Sequence, residues 1–317
     1  MEISPSRTAE VGGTRVRRAL PQRNRRMVGA WCFADHLGPT TSSTEHPVAV
    51  GPHPHMGLHT VTWLLDGVLL HRDSLGSEQV IRPGQLNVMT AGTGVSHAEE
   101  PTDRRPERIH GIQLWVAQPE ATRHGPPAFE HHAELPELDL ACGRAAVLVG
   151  SVDGVVSPAV HHTPLVGVDL EVRAGAVTVP LEPTFEHCLV VLEGSVDVDG
   201  HTVVPGALAY LGLGRDELTV ATADHARLLA LGGVPFEAPV VMWWNFVGRS
   251  RREMAGAVAD WNNDDGRFGA TTSSMARVPA PRPPWPEDRP ADRSRGHGAA
   301  TGADRPRAED ESPTDTV

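Results

Sequence analysis

The chain has 317 residues, enough for about two domains at roughly 100–200 residues each. Its 28 basic residues, all Arg, stand against 40 acidic ones. The resulting net charge of −12 argues against sequence-independent nucleic-acid binding, which needs a basic face to displace counterions. Gly (32) and Pro (28) are abundant, a composition suited to many short strands and turns.

Near the N-terminus six arginines (15, 17, 18, 23, 25 and 26) precede an apolar stretch at 27–34. This stretch is short, runs into Asp35 and His36 and lacks a small-residue cleavage site, so a first strand is expected there rather than a signal peptide. No apolar run reaches the roughly 18–20 residues of a membrane span, and a soluble, cytoplasmic, monomeric protein is expected. Cys32, Cys142 and Cys188 are far apart and in no CxxC pattern, so reduced core thiols are expected instead of disulfides or a cysteine zinc site.

Short alternating segments follow in chain order: HTVTWLLDGVLLHRD, EQVIRPGQLNVMTAG and RIHGIQLWVAQ, then EHCLVVLEGSVDVDG, HTVVPGALAYLGLG and DELTVATADHARLLALGG. Gly, Pro and Asp bound each of them, which predicts an all-β protein of barrels or sandwiches. The two sets echo each other. In both, a strand ends in an acidic residue and Gly (Asp66-Gly67, Glu193-Gly194), and a Pro-Gly turn (Pro83-Gly84, Pro205-Gly206) opens another, the mark of a duplicated β domain. Asp66 and Glu193 read as turn residues. One helix is predicted at about 250–262, from the capping pair Ser250 and Glu253 and the apolar face Met254, Ala257, Val258 and Trp261. Beyond about residue 271, and most clearly from Arg277, little is apolar except Trp285, and an unstructured tail is expected.

Two stretches carry chemistry. HPHMGLH supplies His53, His55 and His59, which share parity with Val61, Trp63 and Leu65, so this face is expected to be a barrel interior with the histidines at its mouth. SHAEE supplies His97 and Glu99, again two residues apart. If the strands are neighbours, three imidazoles and a carboxylate meet, a donor set for Fe(II) first, with Mn, Cu, Ni or Zn as alternatives. Such an ion would keep free positions for water, O₂ or a chelating substrate. Gln113 and Trp115 share parity on the last strand of the first half and are candidates to line the pocket. His71 with Asp73 reads as a charge-assisted pair in a turn. His161 and His162 read as solvent-facing, and His187 as a satisfied interior or rim histidine.

HPHMGLHTVTWLLDG, HRDSLG, RPGQLNVMTAGTGVSHAE and HGIQLWVAQP together resemble the pirin family, a two-domain branch of the cupin superfamily. The strong part spans about 51–120 and a weaker part about 27–270. The resemblance implies a bicupin: an N-terminal metal-binding barrel (1–135), a C-terminal barrel without metal plus a closing helix (136–270), and the tail (271–317). It places the metal ligands on His53, His55, His97 and Glu99. Met56 and His59 depart from the family's usual Arg and Glu at positions near the metal, and His59 is weighed as an outer-sphere donor, an extra ligand or a pocket-lining residue. The activity implied is quercetin 2,3-dioxygenase chemistry, with a flavonol and O₂ as partners and Glu99 as ligand and general base. The alternatives are an iron-dependent, redox-sensing regulator that binds a protein partner without turnover, and a structural cupin with the metal as a staple.

Overall fold

Alternating β-branched and polar residues punctuated by Gly and Pro build strands almost throughout. The computed structural model describes residues 1–41, 49–102 and 108–285, and these form twenty-six strands and one helix. The part of the tail, expected from about 271, that lies beyond 285 falls outside the described residues. Among the described residues no helix is long and apolar enough to cross a membrane.

The strands make two copies of one arrangement, the bicupin fold. In the first half a seven-stranded sheet runs, in spatial order, Ala128–His132, Leu86–Thr90, Leu58–Asp66, Arg108–Ala117, Trp31–Thr41, Thr14–Leu20 and Arg7–Val11. Its small companion runs Val50–His55, Val95–Glu100, Leu69–Asp73 and Glu78–Ile81. The second half repeats both: Glu2–Ser4, Leu208–Gly212, Glu186–Glu193, Ala226–Gly233, Leu165–Val172, Gly143–Val149 and Glu137–Leu140, with Gly175–Pro180, Glu217–Thr222, Val196–Val198 and His201–Val203. The sequence echo thus marks equivalent turns. Gly67 and Gly194 both have positive φ, and a Cβ on either would lie within 2.3 Å of a carbonyl oxygen, so only Gly fits there.

The large sheets pack against each other, and this seam corrects one expectation. Val61 and Trp63 point not into the first barrel but into a core shared with Leu148, Val190 and Leu229 of the second half. Trp31 Nε1 donates to the carbonyls of Val166 (3.2 Å) and Gly232 (3.1 Å), and Trp63 Nε1 donates to Asp169 Oδ2 (3.0 Å). Arg227 grips the same carboxylate, so these two indoles and the Asp169 carboxylate are paired at the seam.

Both ends of the chain also differ from expectation. The strand foreseen at 27–34 begins only at Trp31, and three strands precede it. The alternating arginines of 15–18 masked one of these. The first, Glu2–Ser4, joins the second half's sheet beside Leu208–Tyr210. At the other end the helix Arg251–Asn263 has the foreseen cap, with Ser250 Oγ accepting from Glu253 N–H, and buries Met254, Ala257, Val258 and Trp261. It packs on Met56 and Phe246, covering the first barrel. Residues 277–285 are ordered against it rather than structureless. Val278 N–H donates to Pro52 O (2.9 Å), Trp261 Nε1 to Val278 O (2.8 Å), and Asn262 bonds both backbone groups of Ala280. An extended, Pro-rich segment satisfies its backbone on a neighbour's side chains, which leaves no periodic signal.

Candidate metal centre

His53 and His55 stand two apart on Val50–His55, and His97 lies directly opposite His53 on the antiparallel strand Val95–Glu100. Same-parity residues share a face, so the three imidazoles converge. All three are buried, and one donor nitrogen from each lies within 4.8 Å of the other two. His55 Nε2 is only 3.0 Å from His97 Nε2.

Their partners determine which nitrogens carry protons. His53 Nδ1 lies 2.9 Å from Gly51 O and His55 Nδ1 3.2 Å from Asn245 O. A carbonyl can only accept, so both Nδ1 atoms are N–H and both Nε2 atoms are bare. The third histidine is set by a relay. Asp73 Oδ2 accepts from His71 Nε2 (3.1 Å), which leaves His71 Nδ1 to accept from His97 Nδ1 (3.3 Å) and His97 Nε2 bare. Burial, with the neighbouring imidazoles, keeps the cluster uncharged. It pushes His53 down to about 4 and holds His55 and His97 well below the ordinary imidazole range. Three lone pairs therefore meet in a dry space with no proton between them. A divalent cation is the group that resolves this, and the residues present fit one.

The head of the relay is held firmly. Asp73 Oδ1 accepts from the backbone N–H groups of Leu75 and Ser77, both at 2.9 Å. Burial raises the Asp73 pKa, but the bonds from His71 and Ser77 outweigh it and leave the carboxyl below its usual range. Asp73→Asn must keep its oxygen on those two N–H groups and so turns its NH₂ toward His71 Nε2. His71 then reverses its tautomer, and His97 presents N–H to the cluster. Metal affinity is expected to fall by about 10–100-fold, measurable by chelator competition, with the fold retained.

The family models for pirin and for the pirin C-terminal cupin domain match residues 13–116 and 167–269. A protein of Pseudomonas aeruginosa with the provisional name quercetin 2,3-dioxygenase is 46% identical over 89% of this chain and 90% of its own. The chain belongs to the pirin family. A pirin-like protein of Caulobacter vibrioides is 36% identical over 82% of this chain and 92% of its own. The crystal structure of a quercetin 2,3-dioxygenase from Acinetobacter baumannii superposes with a TM-score of 0.86 at 43% identity, covering 90% of this chain and 96% of that one.

Other site residues of this pirin fall as follows. Glu99 shares the strand and face of His97 but lies outside the 4.8 Å cluster. The strand pair shifts register between His97 and Glu99, where Gly51 and Pro52 stand opposite. Burial raises the Glu99 pKa, partly countered by His71. Trp115 sets its ring edge-on to His55 (5.2 Å) and stacks on Phe33 (3.9 Å). Gln113, two residues before Trp115, accepts from Thr62 Oγ1 at 2.9 Å on that same interior face. Two candidates turn away. Gly57, at φ +70°, breaks the strand after Met56, so His59 belongs to the large sheet and faces the seam. Met56 packs into the helix cluster, with Arg267 on its sulfur.

Sequence reasoning missed His71 and Asp73 as supports and the carbonyl of Asn245, which reaches His55 from the hairpin before the helix. Glu193 is more than a turn residue, since it pairs with His110 Nδ1 at 3.1 Å across the seam. His187 is interior as foreseen, but among the described residues neither ring nitrogen has a hydrogen-bond partner. Cys32 and Cys188 are core thiols, pushed up to about 12 by burial, and are unsuited to nucleophilic work.

Proposed function

We propose that this pirin is a metal-dependent ring-cleaving dioxygenase of flavonols such as quercetin, using iron(II) held by His53, His55 and His97 with Glu99 completing the set. The observation that carries the reading is the convergence of three bare Nε2 atoms fixed by their partners. The names of the similar P. aeruginosa and A. baumannii proteins support the substrate class. When bound, the ion supplies Lewis-acid polarisation of the substrate's oxygens.

The chain's own groups do the rest. Glu99, with its affinity for a proton raised by burial, is suited to take the proton of the flavonol 3-hydroxyl. Trp115, edge-on to His55 and stacked on Phe33, puts aromatic surface beside the cluster, which suits a planar aromatic substrate.

The test is aerobic loss of quercetin absorbance by chelator-stripped protein reloaded with Fe(II). Turnover is expected with iron and not without it, and Glu99→Gln is expected to lower kcat by about 10²-fold or more. Iron-loaded protein that consumes no flavonol overturns the reading. One observation favours regulation by redox state instead. His55 is held by Asn245, whose neighbours Trp243 and Trp244 are half-buried, so a change at the metal has a route to the surface. That reading requires no turnover, together with hydrogen exchange over 241–248 that differs between ferrous and ferric protein.

A further inference from the structure

A second group of histidines lies at the seam, apart from the triad. His59 is 2% exposed. Its Nδ1 sits 2.9 Å from Thr90 Oγ1, while its Nε2 is buried and has no partner among the described residues. An orphaned buried nitrogen calls for an explanation. Packed against it, edge to face with ring centroids 4.6 Å apart, is His162.

His162 and His161 belong to an irregular segment that leads into the strand Leu165–Val172 of the second half; His161 is exposed and His162 half-buried. With Thr90 Oγ1 accepting from His59 Nδ1, His59 Nε2 is free to ligate, and the other two imidazoles can offer lone pairs as well. His161 Nδ1 faces Ala159 O at 3.3 Å, so its proton is there and its Nε2 is bare. Gln118 Oε1 is taken by Gly92 N–H, so Gln118 turns its amide nitrogen to His162 Nδ1, which is an acceptor held only at 3.3 Å. Glu130 adds negative charge beside the segment, with Oε2 bonding Val160 N–H (3.2 Å) and His132 Nε2 (3.1 Å). Burial, with the two neighbouring imidazoles, pushes His59 down to about 3 and keeps it neutral, as a ligand must be.

We infer that His59, His161 and His162 form a second divalent-metal site, one that joins the two halves and takes an imidazole-preferring ion of the zinc type. One donor is fixed and buried. The other two sit on an irregular segment where rotation of their side chains can close the site around an ion. Imidazoles without thiolates suit Zn²⁺, Cu²⁺ or Ni²⁺ and disfavour Mg²⁺ or Ca²⁺.

The test is titration of chelator-stripped, full-length protein with Zn²⁺ against a chromophoric chelator. The parent is expected to bind two equivalents. The doubly substituted His161→Ala, His162→Ala protein, altered only on the irregular segment, is expected to bind one. The protein carrying His53→Ala and His55→Ala is expected to keep the equivalent that the other loses. His59→Gln is expected to weaken the second equivalent at least tenfold. A parent that saturates at one equivalent overturns the inference. So does a second equivalent that survives loss of both His161 and His162, which marks adventitious surface binding, or one that His59→Gln leaves unweakened.

Discussion

In protein already carrying His161→Ala and His162→Ala, so that only the triad can bind, replacing His53 with alanine is expected to abolish the thermal stabilisation that a divalent ion gives, while the metal-free melting temperature stays close to that of this parent. The asymmetry follows from the tautomers. Without an ion, His53, His55 and His97 confront one another with bare nitrogens, and the His53 imidazole gains only its bond to Gly51 O. Losing that bond costs about 1 kcal/mol, and relief of the crowded lone pairs offsets it. With an ion, the same residue supplies one of three imidazole ligands. Loss of an outer support lowers affinity by about 10–100-fold, and loss of a ligand lowers it further. An ion present at about 100 times its Kd stabilises the parent by roughly 2.7 kcal/mol, and this increment should vanish in the variant. Thermal scans of both proteins, stripped and reloaded, check it. A metal-dependent rise that persists in His53→Ala on this background would show that the triad is not the binding site.

The triad was legible in the sequence because each half of it lies within a single strand. His53 with His55, and His97 with Glu99, need only the two-residue period of a strand to share a face. That the two strands are neighbours was a condition of the reading, and the pairing of Val50–His55 with Val95–Glu100 meets it. His59 was misplaced because the period was carried across Gly57, where positive φ ends one strand and redirects the next into another sheet. The inner face of the large sheet was misread for a different reason. In a two-barrel protein that sheet is buried on both sides, and its most apolar side, Val61 and Trp63, meets the other barrel. The barrel interior carries Thr62 and Gln113 instead. Apolarity alone cannot separate two buried faces. The relay from Asp73 through His71 to His97 depends on register between Leu69–Asp73 and Val95–Glu100, which no local pattern encodes. The duplicated turns and the helix cap were readable because both are local chemistry.

Acid should destabilise the metal-free protein well above the range where carboxylates titrate. His36, His59 and His187 are all at most 2% exposed, lie outside the triad, and are pushed by burial to about 3, 3 and 4. Charged neighbours add to the shift of His36, where Arg17 and His110 repel a second positive charge. For each group the folded pKa lies below the unfolded value of about 6.5. Above that value neither state binds a proton, and these groups contribute no pH dependence. Below it the unfolded chain takes up protons that the folded chain refuses, so stability falls as pH falls and continues to fall until the folded pKa is reached. Each buried imidazole costs about 1.4 kcal/mol per pH unit in that window. Three of them remove about 4 kcal/mol between pH 7.5 and 5.5, a large part of the 5–15 kcal/mol typical of a folded domain. The raised carboxyl of Asp35 works in the opposite sense, gaining stability as it protonates, although the Arg18 ion pair limits that gain. Denaturant midpoints of chelator-treated protein should therefore be flat from pH 8.5 to 7.5 and drop steeply by pH 5.5. His36→Asn, which removes a titrating ring that has no partner for its Nδ1, should lessen the slope by about one third of the three-histidine total. A midpoint that holds or rises on acidification to pH 5.5 would mean that these imidazoles accept protons in the folded state, and that the interior around them admits water.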